Sequence, residues 1–221
     1  MSAPAARTPS PLWLLPPAIL FGLEIAAVLA NGENDQPTNA AYHFGDVIGL
    51  AVFTLVLGLY AVAAVHFSRL DLRETLAIRR TPLRPAIRDG VAALAVIVVA
   101  NLVLNPLLNA DQAQGIVPEH SPRNTQEWLI LGLALLIVGV LVPICEELFF
   151  RGLAYASLGR FAVVGSAVLF ASAHVLPEVL PIVLIAGLAL AEVRKRTDSV
   201  IPGMFVHSAL NLSALLLAVL A

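Results

Sequence analysis

Seven apolar runs, at 12–30, 44–67, 90–108, 127–149, 161–174, 179–192 and 199–220, take up most of this 221-residue chain. A helix needs about 20 mostly apolar residues to cross the hydrocarbon of a bilayer. Five of the runs approach or exceed that length, and the fifth and sixth fall short of it, with Pro177 and Pro181 where they meet. No water reaches the backbone in lipid, so each segment has to close its own hydrogen bonds, as a helix does. Only 13% of the residues are charged, against about 25% in an ordinary soluble domain. The expected fold is all-α: a polytopic membrane helix bundle of about seven transmembrane helices around a polar intramembrane cavity. It forms one transmembrane domain over 12–221, behind a Pro-rich, disordered tail at 1–11.

The first run resembles a cleaved leader in having Arg7 ahead of it and the small-residue ending Val28-Leu29-Ala30. Its length, Glu24 and the Pro16-Pro17 pair argue for a retained span instead. Lys and Arg alternate between loops. The 31–43 loop has none, the 68–88 loop has Arg69, Arg73, Arg79, Arg80, Arg84 and Arg88, and the 109–125 loop has only Arg123. Arg151 and Arg160 fall with the turn after the fourth run, and Arg194-Lys195-Arg196 with the turn after the sixth. By the positive-inside rule the N-terminus is cytoplasmic, in a multi-pass protein of the plasma membrane. The bilayer is then a partner of the chain. A net charge of -2 carries no signature of nucleic acid, and no such partner is expected. The single cysteine, Cys145, excludes an intramolecular disulfide and a Cys-based metal cluster. It reads as a small apolar filler.

Against this background PICEELFFRG, at 143–152, is out of place. A charged group in a membrane span costs about 2.5–3.5 kcal/mol on insertion scales. Glu146, Glu147, Arg151, His174, His207 and Asn211 all sit in or beside apolar runs, so they have to pair, face water, or both. Glu147 and Arg151 are four apart and share a helix face, which makes them a structural ion pair. Glu146 is turned about 100° away and left without that partner. His207 and Asn211 are four apart on the last run, and His174 follows Phe170 by four. Each feature also has a plainer explanation: an interfacial ion-pair cluster, a satisfied histidine, polar glue between helices. Together they are the parts needed to activate water and stabilise an oxyanion.

Glu146-Glu147-x-x-x-Arg151, Phe170-x-x-x-His174 and His207-x-x-x-Asn211, in that order on separate spans, resemble the three-motif pattern of the CPBP family. That family comprises CAAX-type prenyl endopeptidases and bacteriocin-processing enzymes, also called Abi proteins. Pro143-Ile144 and Phe150-Arg151-Gly152 fit it too, and the likeness spans about 127–212. The resemblance implies an intramembrane endopeptidase acting on a membrane-associated peptide or lipidated protein substrate. It implies that Glu146 and His174 activate the water, that Glu147 belongs to the catalytic set while pairing with Arg151, and that His207 and Asn211 stabilise the oxyanion.

The family is often described as metal-dependent. Zinc would fall to Glu146, His174 and His207, but no HExxH spacing is present and a metal-free general base is favoured. Two other functions stay open: a non-catalytic membrane partner or immunity protein on the same scaffold, and a proton-coupled carrier. Intact motifs argue against the first, and the lack of two related halves against the second. The runs also pose a geometric demand. The 13 residues from Phe161 to His174 amount to about 20 Å of helix. To meet at one site, the fourth helix has to continue past Arg151, or the fifth has to stop short.

Overall fold

The structure, a computed structural model, describes residues 8–31, 42–108, 110, 118 and 120–220. Most of the tail expected at 1–11 lies outside them, as do 32–41 and 111–117 in the two loops poor in basic residues. Among the described residues the chain is helical, with no strand. We number the main helices α1 (Leu15–Asn31), α2 (Phe44–Phe67), α3 (Leu83–Leu108), α4 (residues 125–157), α5 (Ala162–Ser172), α6 (Leu180–Thr197) and α7 (Ile201–Leu220).

Five of these, α1 with its leading 3-10 turn, α2, α3, α4 and α7, are long and apolar enough to cross a membrane. Their exposed surface is rich in leucine and valine, including Leu102, Leu107, Leu129 and Leu217. This is an integral membrane protein. The two short runs form the two helices of a different kind. α5 has 11 residues, a rise of roughly 16 Å, about half the hydrocarbon thickness. α6 reaches 18 residues only by continuing through Arg194, Lys195 and Arg196 in its last turn, where cations favour the helix C-terminus.

α4 is the axis of the fold. It runs for 33 residues and passes Arg151 without a break. Arg151 therefore belongs to no turn, contrary to its place in the loop count; it lies fully buried inside the helix. Asn124 starts α4, its side chain accepting from the Glu127 N–H at 2.9 Å while the Glu127 carboxylate accepts from the Arg123 N–H at 2.7 Å. These contacts satisfy N–H groups that the first turn leaves unpaired. α4 is not uniform. Ile137–Leu141 and Glu147–Ala154 are π-helical, separated by a turn of α-helix, Val142–Glu146. Pro143 explains the first widening: its ring would collide with the carbonyl four residues back, that of Gly139, in a regular helix.

α2 packs along the middle of α4, α5 lies on α6, and α3 covers the other side of α6. The main core gathers Phe21, Leu57, Ala61, Leu76, Phe149, Phe150, Leu153 and Phe170. Close approach depends on small residues. A side chain at Gly187 on α6 would stand 3.1 Å from the Ala167 backbone of α5. Cys145 is buried against Gly58 of α2, as a filler should be.

The two basic stretches meet at one end of the bundle. Asp198, in a left-handed turn between α6 and α7, takes ion pairs from Arg79 at 2.6 Å and Arg194 at 2.9 Å. The Ser199 hydroxyl donates to the Arg79 carbonyl and the Val200 N–H to that of Ala77. The 68–82 loop is thereby strapped to the α6–α7 turn.

Candidate active site

The site grows from one turn of α4. Glu147 Oε1 stands 2.9 Å from Arg151 Nη1, and neither side chain has any solvent-accessible surface. Two such charges in a membrane hold only if each is compensated. Arg151 Nη2 also donates to the Gly187 carbonyl at 3.3 Å, and its guanidinium carbon lies 4.1 Å from the centroid of the Phe170 ring. Arg194 reaches in from α6, its Nε donating to the Arg151 carbonyl at 3.2 Å. The pair therefore joins α4 to α5 and α6.

Glu146, the neighbouring acid, is placed differently. About 12% of its side chain is accessible, which leaves it able to meet a water or a substrate while Glu147 is sealed. Its Oε2 lies 3.8 Å from His207 Nε2 on α7. The other ring nitrogen, Nδ1, is 3.4 Å from Glu147 Oε1. His207 thus stands between the two carboxylates. It can do so because Gly203, one turn earlier on α7, leaves room for Glu147: a Cβ there would come within 2.6 Å of Glu147 Oε2.

His174 follows the end of α5. Its Nδ1 is 2.9 Å from the Phe170 carbonyl. A carbonyl only accepts, so Nδ1 carries the proton and Nε2 keeps its lone pair. The chain then turns sharply, Val175 taking a φ of 58° and Leu176 N–H returning to the His174 carbonyl. A β-branched residue in the left-handed region is strained, and such strain collects at functional sites.

His174, His207, Asn211 and Phe170 border a cavity of about 480 Å³ between α3, α5, α6 and α7. Most of its other lining is aliphatic, from Ile97 to Leu215. Glu146 is not part of the lining itself but stands behind His207, which is. Asn211 Nδ2 donates to the Val138 carbonyl of α4 at 2.9 Å. All seven residues of the three motifs therefore lie around one junction of α4, α5 and α7. The demand posed by the runs is met twice over, by the length of α4 and by the shortness of α5.

Glu24, by contrast, is half-buried on α1 and borders neither the cavity nor an arginine among the described residues. Sequence reasoning missed Asn101 of α3, a fourth polar side chain on the cavity. Its signal was present, an amide deep in an apolar run. It also missed Gly203, which the four-residue step back from His207 would have flagged. Among the described residues there is no group of three or more His, Cys, Asp or Glu side chains placed to hold a metal ion.

Comparison with curated proteins and with solved structures finds no match. Comparison with protein families does find one, and it covers α4 to α7 with all three motifs. Residues 128–213 match the family described as Type II CAAX prenyl endopeptidase Rce1-like, the family type that the three motifs resemble.

Proposed function

We propose that this protein is an intramembrane endopeptidase that hydrolyses a peptide bond of a membrane-associated or lipidated substrate. The observation that carries the reading is the contrast between two adjacent acids, Glu147 sealed in an ion pair and Glu146 accessible beside His207. Among the described residues Glu146 has no arginine or lysine within ion-pair reach, only His207, and an ionisable residue inside the membrane marks a functional site.

Glu146 takes a proton from water, and the resulting hydroxide attacks the scissile carbonyl. His174 Nε2 accepts a hydrogen bond from that water and aligns it while Glu146 takes the proton. His207 and the second N–H of the Asn211 amide face the oxygen that becomes negative. The proton held by Glu146 then passes to the departing amine, so the site ends as it began. No step is routed through a metal. The apolar lining of the cavity suits a substrate already embedded in lipid. We place the end bearing Arg79, Arg194 and Arg196 in the cytoplasm, on the positive-inside rule, with the plasma membrane as host.

The test is cleavage of a membrane-anchored peptide library by purified protein in liposomes, with Glu146→Ala and His174→Ala alongside, each with and without a chelator. Cleavage by the wild type alone, unchanged by chelator, is the expected result. Cleavage abolished by chelator would overturn the metal-free chemistry. Cleavage retained by Glu146→Ala would overturn the role of that acid. No cleavage by a folded wild type would favour a non-catalytic membrane partner.

A further inference from the structure

Pro143 breaks the hydrogen-bond ladder of α4 three residues before Glu146. In the π-helical stretch that precedes it the ladder reaches five residues back, the Val142 N–H donating to the Ile137 carbonyl. The next rung in that register would join residue 143 to the Val138 carbonyl. Proline has no N–H to give. The Val138 carbonyl is thereby denied the donor that this register would give it, and a side chain of a neighbouring helix can take the vacant place. Asn211 Nδ2 takes it, at 2.9 Å.

We infer that Asn211 is a positioning residue: its amide fills the rung Pro143 leaves open and so fixes the segment bearing Glu146 against the helix bearing His207. Three successive turns of α7 support this. Gly203 lies against Glu147 Oε2, His207 against both carboxylates, and Asn211 against Val138. The residue after Asn211, Leu212, packs over Gly139, the next residue of the same π-helical stretch. α7 thus docks on α4 along one face. The amide is its only hydrogen bond to the α4 backbone among the described residues. The role is additional to any contact with substrate, since the amide has a second N–H.

The test is a double-mutant cycle of wild type, Asn211→Ala, Pro143→Ala and the double variant, read by thermal unfolding in lipid. It is also read by kcat and KM on the best-cleaved anchored peptide. Asn211→Ala should lower Tm by about 3–6 °C, the loss of a satisfied buried hydrogen bond in a chain of this size. In the Pro143→Ala background the restored N–H should remove most of that fall and return part of kcat, with KM little changed. Additive Tm effects would overturn the inference, as would an Asn211→Ala protein that melts like wild type. If Pro143→Ala does not fold, Asn211→Asp decides: it keeps the size but loses the N–H, and wild-type melting would overturn the assignment. Only the kinetic arm rests on the endopeptidase reading. Coupled Tm values without any cleavage would uphold the positioning role and sink the activity.

Discussion

The Phe170 side chain holds one motif and its main chain another: Arg151 lies 4.1 Å from the centre of its ring, and its carbonyl takes the Nδ1 proton of His174. The edge of the same ring meets His207, with centroids 5.7 Å apart at 83°. An aromatic at this place is therefore a joint between the ion pair and the two histidines, beyond its share in the core. Phe170→Leu keeps most of the volume and removes the π face. It should cost about 2 kcal/mol for a desolvated cation–π contact. Cleavage should fall further than that stability loss explains. Equal activity at a temperature well below both melting points would show that the ring only fills space.

The two acids should separate cleanly under conservative substitution. Glu147→Gln leaves Arg151 as an uncompensated buried charge, for a loss of about 3–5 kcal/mol. Glu146→Gln breaks no ion pair with an arginine or lysine among the described residues, only the 3.8 Å contact with His207. It should melt close to wild type and cleave on the order of 10²–10⁴-fold more slowly. Unfolding curves and single-turnover rates of the two variants check this, and an exchange of the two phenotypes would refute the assignment.

Gly203→Ala adds one methyl group where Glu147 Oε2 already stands, 2.6 Å from the new carbon. The carboxylate is held by Arg151 and cannot swing away freely, so α7 has to shift. Overpacking of this kind costs about 1–3 kcal/mol. Since His207 rides on the same helix face, turnover should drop with it. A variant with unchanged Tm and turnover would mean that the helices give way without consequence.

Asn101 lies outside the matched segment 128–213 and lines the cavity with His174, His207 and Asn211. An extended peptide offers paired donors and acceptors, which a carboxamide can meet with both of its ends. Asn101→Leu should raise KM by about tenfold, the equivalent of one lost hydrogen bond. The effect on kcat should be smaller and the protein at least as stable. A fall confined to kcat would place Asn101 with the reacting atoms.

How much of this could be read beforehand depended on which force decided each feature. Hydrophobic runs located all seven main helices, because burial in lipid is legible residue by residue. They mislaid the ends of α3 and α6. Leu83 and Thr197 bound those helices, beyond the apolar runs, because Arg84, Arg88, Arg194 and their neighbours extend a helix into the polar boundary without adding hydropathy. The Glu147–Arg151 pair followed from a spacing of four. The π-helical turns of α4 did not, since a 3.6-residue period is assumed before any face is assigned, and only Pro143 hinted at the change. The link from Asn211 to Val138 was invisible for the same reason: it ends on a backbone atom, and backbone atoms have no letter in a sequence.

The pairing of Glu147 with Arg151 on a single helix also bears on how the protein is made. Both charges arrive together within two turns of α4, so Glu147 can enter the bilayer already paired, before α5, α6 or α7 exists, whereas Glu146 meets no such partner on its own helix. His207 comes last, on the final helix of the fold. A nascent chain therefore carries Glu147 through insertion already paired, and the reactive junction around Glu146 closes only when translation has delivered α7.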